Sequence, residues 1–129
     1  LRQYFGTYAE RVVLAVLLEN AEKKTVMEKF PKILKDFSLT YPHLSLKLSP
    51  NLADQTQFTY IKTAQALNIS ATIVDEAKAH SPYGIIVHSD KAENLDKVLF
   101  SEIYPDILAP QKTEQAITKK RFFAKLFGK

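Results

Sequence analysis

The seven consecutive apolar residues from Val12 to Leu18 constrain this 129-residue chain more than any other feature. Valine and leucine dominate the run and no clear alternation is visible, which is the pattern of a strand covered on both faces; a short buried helix fits the same periodicity. Together with Glu10 and Arg11 the run reads as the first and central strand of a sheet, spanning Glu10 to Leu18. A membrane-spanning helix needs about 20 apolar residues. This run instead meets Glu19, Asn20, Glu22, Lys23 and Lys24, with no small-residue cleavage site. Neither a signal peptide nor a transmembrane segment is expected from it.

The rest of the pattern supplies what such a strand needs around it. Val26, Phe30, Ile33, Leu34 and Phe37 follow spacings of three and four, the stripe of an amphipathic helix. Pro31 is tolerated near a first helical turn, so this helix is expected to start late or to kink there. Tyr41, Pro42 and His43 end it. Leu44, Leu46 and Leu48 then alternate with Ser45, Lys47 and Ser49, a half-buried strand closed by Pro50. Asp54 reads as the N-cap of a second helix with the stripe Phe58, Ile61, Ala64 and Leu67, and Asn68 suits its C-terminal end. Ala71 to Val74 is a third strand, Glu76 to Pro82 a turn region, and Gly84 to His88 a fourth strand. Asp90 with Glu93 resembles a capping box for a helix over Leu95 to Tyr104. The order strand, helix, strand, helix, strand, strand predicts an α+β fold with a mixed four-stranded sheet and additional C-terminal helices.

Composition and charge bound the domain organisation. Hydrophobic residues make up 46% and charged residues 25%, ordinary globular usage rather than the signature of disorder. Residues 112–129 hold Lys112, Lys119, Lys120, Arg121, Lys125 and Lys129 against the single acid Glu114, a net +5. The whole chain carries +4, so residues 1–111 are close to neutral at −1. We therefore expect a single α+β domain over 1–110 and a basic amphipathic helix or tail over 111–129, in which Ala116, Phe123 and Phe127 share one face. There is no cysteine, which excludes disulfides, thiolate nucleophiles and iron–sulfur clusters and fits a reducing compartment, so a cytoplasmic location is expected. The chain begins at Leu1 rather than methionine and reads as a piece of a longer protein.

Three stretches carry a resemblance: Tyr4-Phe5-Gly6-Thr7-Tyr8-Ala9-Glu10-Arg11-Val12, then Ile69 to Asp75 (ISATIVD), then Ser81-Pro82-Tyr83-Gly84. On these, the region from Tyr4 to about His88 resembles the YueI-like family, small bacterial proteins without an assigned biochemical role. The resemblance implies a fold similar to the chorismate-mutase-like proteins and to the ribosomal proteins that bind kink-turn RNA. Those RNA binders place a Gly-Asn pair at a helix start. The three glycines here, Gly6, Gly84 and Gly128, are not followed by asparagine, so RNA binding of that kind is disfavoured.

Several chemistries lack their motifs. Three glycines supply neither a phosphate-binding loop nor a dinucleotide fingerprint. His43, His80 and His88 are widely spaced, so no metal site and no cofactor is expected, and they read as surface or loop histidines. Asp75, His80 and Ser81 have the residue types of a hydrolytic triad without a nucleophile elbow, and read as a polar turn. Asn68-Ile69-Ser70 is a glycosylation sequon only in a secreted protein, and here reads as a turn.

Glu10 and Arg11 flank a strand in which unpaired charge is expensive to bury. Thr7, Glu10 and Arg11 together with Asp75, Ser81 and Tyr83 form a candidate site for a small polar or anionic ligand at the strand ends. Alternatively, Arg11 pairs with a carboxylate such as Asp75 and only ties the N-terminus down. The reading is thus a non-enzymatic small-ligand-binding or protein-interaction domain. The tail leaves three readings open: docking or self-association into a homo-oligomer, disorder, or contact with a membrane surface or nucleic acid. The alternative function is RNA binding through Lys119, Lys120, Arg121 and Lys125.

Overall fold

A computed structural model describes residues 4–75 and 80–108. The tail over 111–129, with Lys119, Lys120, Arg121 and Lys125, and the turn residues 76–79 lie outside the described residues. The elements in chain order are β1 (Val12–Leu17), α1 (Leu18–Ala21), α2 (Lys24–Thr40), β2 (Leu44–Leu48), α3 (Asp54–Ala66), β3 (Ser70–Ile73), β4 (Tyr83–Ser89), α4 (Phe100–Ile103) and α5 (Pro105–Leu108). The sheet is mixed, as its sequence pattern implies, with strand order β1-β4-β2-β3. β4 is antiparallel to both β1 and β2, whereas β2 and β3 are parallel. Among the described residues, no helix is long and apolar enough to cross a membrane.

β1 is an edge strand rather than the central one, yet Val12 to Val16 are 0% exposed. Two devices bury it. Its outer edge is closed by the segment before α4, where Ala15 N–H donates to the Val98 carbonyl at 2.7 Å and Ala15 bridges Leu99. Its register against β4 slips twice, between Val12 and Leu14 and between Val16 and Leu17. The first slip lets Val13 and Leu14 both join the main core, while Val12 and Ala15 join a second apolar cluster on the opposite face. Such bulges break the two-residue period, and burial on both faces leaves the run without polar alternation.

The second slip opposes Val16 to Ile85 and Leu17 to Tyr83, leaving Gly84 as the extra residue. A Cβ on Gly84 would lie 2.9 Å from the Ala21 Cβ and 3.1 Å from the Leu18 Cα. Glycine here lets α1 sit directly on β4.

The helices cover the main core. α2 begins at Lys24, seven residues before Pro31, and not at the proline. Proline removes the N–H that would reach the Met27 carbonyl and costs about 3 kcal/mol in a helix interior. Burial of Val26 and Phe30 before it, and of Ile33 and Leu34 after it, carries the helix across. In α3 the N-cap is Ala53, without a side-chain cap, rather than Asp54. Glu22 replaces the local cap, accepting hydrogen bonds from Ala53 N–H at 2.7 Å and from the Thr56 hydroxyl.

The buried face of α3 is Thr56, Tyr60 and Ala64, and Phe58 is 60% exposed. Tyr60 takes the core position because its ring meets Phe30 edge-on at 5.0 Å and its hydroxyl donates to the Ala21 carbonyl at 2.6 Å. Asn68 ends the helix with φ 58°, Ile69 N–H reaching the Ala64 carbonyl and Asn68 N–H the Gln65 carbonyl, a Schellman closure. Of the expected helix over Leu95 to Tyr104 only the four residues of α4 form, after an irregular stretch, with α5 following. The Ser89 hydroxyl donates to the Glu93 carboxylate at 2.8 Å, and the N–H groups of Glu93 and Asn94 donate to the Glu10 carbonyl, so no capping box forms.

Replacing Gly84 by alanine is expected to destabilise the domain by about 1–3 kcal/mol, the usual cost of overpacking against backbone and a rigid Cβ. Urea denaturation of the wild type and G84A checks this through the shift in midpoint at constant slope.

Candidate functional site

The outer face of the sheet, away from α2 and α3, is made by alternation: Ser45 and Lys47 on β2, Thr72 on β3, and Ile86 and His88 on β4, with Lys47 registered against both Thr72 and Ile86. Most of these are polar or charged, so this face needs either water or a cover. The chain supplies a partial cover from residues 4–11. Phe5 at φ 58° and Gly6 at φ 78° turn the backbone so that the Phe5 ring is fully buried with Val12, Ala15, Val74 and Ile86. A left-handed non-glycine residue costs of order 1–3 kcal/mol, and burying a phenylalanine offsets about as much. The turn closes with Thr7 N–H on the Tyr4 carbonyl at 3.0 Å.

This cover brings Thr7 to the sheet. Thr7 is 5% exposed, and its hydroxyl accepts from Lys47 Nζ at 2.8 Å, while the same ammonium donates to the Phe5 carbonyl at 3.3 Å. Lys47 is thereby fixed over the face. Beside it, His88 pairs across the sheet with Val12 and with Ser45. Its Nδ1 approaches the Ser89 carbonyl at 3.4 Å. Its Nε2 is buried and has no hydrogen-bond partner among the described residues. Burial lowers the His88 pKa below the ordinary 6.5; the Ser89 carbonyl opposes this, and the charges of Lys47 and Arg11 add to it. The imidazole is therefore held neutral in a field made positive by two neighbouring cations.

The residues singled out from the sequence divide. Thr7 and Arg11 belong to the Lys47–His88 neighbourhood, Thr7 by contact and Arg11 through its field; the Arg11 guanidinium also lies 5.6 Å from the centre of the Tyr8 ring. Arg11 forms no ion pair with Asp75, which is exposed just beyond β3. Glu10 is exposed and contributes its backbone carbonyl to residues 93 and 94. Tyr83 meets the opening segment through Tyr4, their rings stacked at 5.2 Å and 12°. Burial, followed by the hydrogen bond with Tyr4, pushes its hydroxyl up to about 12. The Ser81 hydroxyl accepts the Tyr83 N–H at 3.3 Å. Lys47 and His88 were legible only as the solvent side of an alternating strand and as a surface histidine; a lysine at the middle of such a strand was the one available signal.

A cleft of about 530 Å³ lies between the end of α2 and residues 95–103 and is lined by Phe37, Tyr41, Leu95 and Ile103 with Asp36 and Lys97. No buried side-chain atom lining it lacks a partner. Among the described residues, no cluster of three His, Asp or Glu side chains has the arrangement to hold a metal.

A family profile described as a protein of unknown function (DUF1694) matches residues 1–99. Among solved structures, the YueI protein from Bacillus subtilis is similar in fold, with a TM-score of 0.66 and 24% identity over 76% of this chain and 73% of that one. No curated protein matches the chain.

The depressed His88 pKa fixes the sign of a pH effect. The unfolded chain takes up a proton near 6.5 and the folded chain only at lower pH, so stability falls as pH drops through 6.5 toward the folded value. Melting curves of wild type and H88Q between pH 5 and 8 should show part of the acid loss disappearing in the variant. An unchanged pH slope in H88Q removes the titration of His88 from this account.

Proposed function

This chain belongs to the DUF1694 family of proteins of unknown function, and we propose that it is a non-enzymatic domain that binds a small anionic ligand on the outer face of its sheet. The site is centred on Lys47 and His88, with Thr7 positioning the lysine and Arg11 adding charge at the rim. One observation carries the reading: a buried His88 Nε2 that no described group satisfies, under the field of two cations. A buried polar atom without a partner costs about 1–3 kcal/mol, and structures rarely keep one unless something else meets it.

With Nδ1 directed at the Ser89 carbonyl, the neutral ring offers Nε2 as an acceptor and the protonated ring offers it as a donor. Burial does most to keep the ring neutral, and a carboxylate or phosphate brought beside Lys47 and Arg11 offsets the positive field that adds to it. Binding therefore favours proton uptake, and affinity increases as the pH falls toward 6 and below. The proposal includes a cytoplasmic setting in a bacterial cell, supported by the absence of cysteine and by the likeness to a bacterial structure.

Thermal unfolding with inorganic phosphate and with citrate, at pH 6 and pH 8, tests this. A ligand at 100 times its dissociation constant adds about 2.7 kcal/mol of stability. The stabilisation should be larger at pH 6 and absent in K47M and H88F, while D75N keeps it. Equal ligand-dependent shifts in wild type, K47M and H88F would place any binding elsewhere and overturn the assignment.

A further inference from the structure

The two edges of the sheet differ in a way the ligand site does not use. The β1 edge is closed by the Ala15–Val98 hydrogen bond. β3 is the other edge, and three of its four residues are exposed. Sheet edges are ordinarily protected by lysine, proline or a bulge. The stretch Ser70 to Val74 has no charge and no proline, and its register against β2 is regular.

The direction of its backbone groups follows from one bond. Val74 N–H donates to the Leu48 carbonyl, so Val74 points into the sheet. By alternation Ser70 and Thr72 do the same, and the N–H and C=O of Ala71 and Ile73 point outward. Among the described residues, nothing pairs with them.

We propose that this edge pairs antiparallel with the β3 edge of a second copy of the chain, about a two-fold axis at Thr72. In this register Ala71 of one copy meets Ile73 of the other, and the outward groups of both residues are used in four hydrogen bonds. The Ile73 side chain, 41% exposed, comes beside Ala71 of the partner on the helix side. The two Thr72 side chains face each other on the outer side as a close, non-hydrogen-bonded pair.

Charge favours a copy of the same strand over a charged partner. The paired segment is neutral, and each Asp75 lies across from Ile69 of the other copy rather than from its twin. Because one edge is closed, the pairing stops at two copies instead of growing into a filament. A contact limited to one short strand is below the roughly 1,200 Å² of stable interfaces, so the dimer is weak and depends on concentration.

Sedimentation equilibrium from about 10 µM to about 1 mM, the range in which weak interfaces dissociate, reads the result. Wild type should rise from its 14.7 kDa monomer mass toward twice that value. T72K and T72E, changed at an exposed side chain with circular dichroism confirming the fold, should each weaken association at least about tenfold, because like charges then face each other across the axis. Mixing the two should restore it. A monomer at every concentration, or a dimer indifferent to T72K and T72E, overturns the proposal.

Discussion

The fold depends on how closely one short turn approaches the sheet. α1 sits on β4 because Gly84 has no side chain, and from there the turn reaches two other parts of the chain, the residue before β4 and, twice, α3. Leu18 N–H donates to the Pro82 carbonyl at 3.0 Å, the Ala21 carbonyl accepts the Tyr60 hydroxyl, and Glu22 caps α3 from outside it. Burial, with the Glu22 carboxylate adding to it, raises the Tyr60 pKa far above its ordinary value, so the hydroxyl stays a donor throughout the physiological range. β1, β4 and α3 are thus tied at a single point. Moving α1 away by the width of a methyl group would loosen all three contacts together, which is why a small change at Gly84 is expected to have a disproportionate effect.

The same bulged pairing creates the second face. The slip between Val12 and Leu14 puts Val12 and Ala15, three residues apart, on the same face of β1. With it, Val12 and Ala15 meet Val74 and Ile86 under the Phe5 ring. The opening segment is held down by apolar burial at Phe5 and by ring stacking at Tyr4. Only then is Thr7 placed to receive the Lys47 ammonium. Polar geometry on this face follows from apolar packing several residues away, in sequence and in space.

That dependence explains what the sequence disclosed. Leu44, Leu46 and Leu48 revealed β2 because a single buried face imposes strict alternation, and Asn68 revealed the end of α3 because few residues accept a positive φ. The Val12 to Leu17 strand was legible as buried on both faces but not as an edge, since its cover comes from Val98 and Leu99, more than eighty residues away in the chain. Asp90 and Glu93 matched a capping pattern whose groups were instead taken by Ser89 and Glu10. Local pattern failed wherever a distant partner competed for the same hydrogen bonds. The site was half visible for the same reason: Thr7 and Arg11 stand in a distinctive segment, whereas Lys47 and His88 acquire meaning only once that segment folds over them.

The neutral histidine shows how an imidazole can stand beside Lys47 and Arg11 on one face of the sheet. A protonated imidazole beside Lys47 and Arg11 would add a third positive charge to a half-buried surface, at a cost that grows as the local dielectric falls. Keeping His88 neutral exchanges that cost for the smaller one of an unsatisfied Nε2. On the proposed reading an anion offsets the field of the two cations and gives the ring nitrogen a partner once the ring is protonated. On the same reading the preference for anions comes from the field of Lys47 and Arg11, which a neutral ligand leaves unopposed and a cation strengthens.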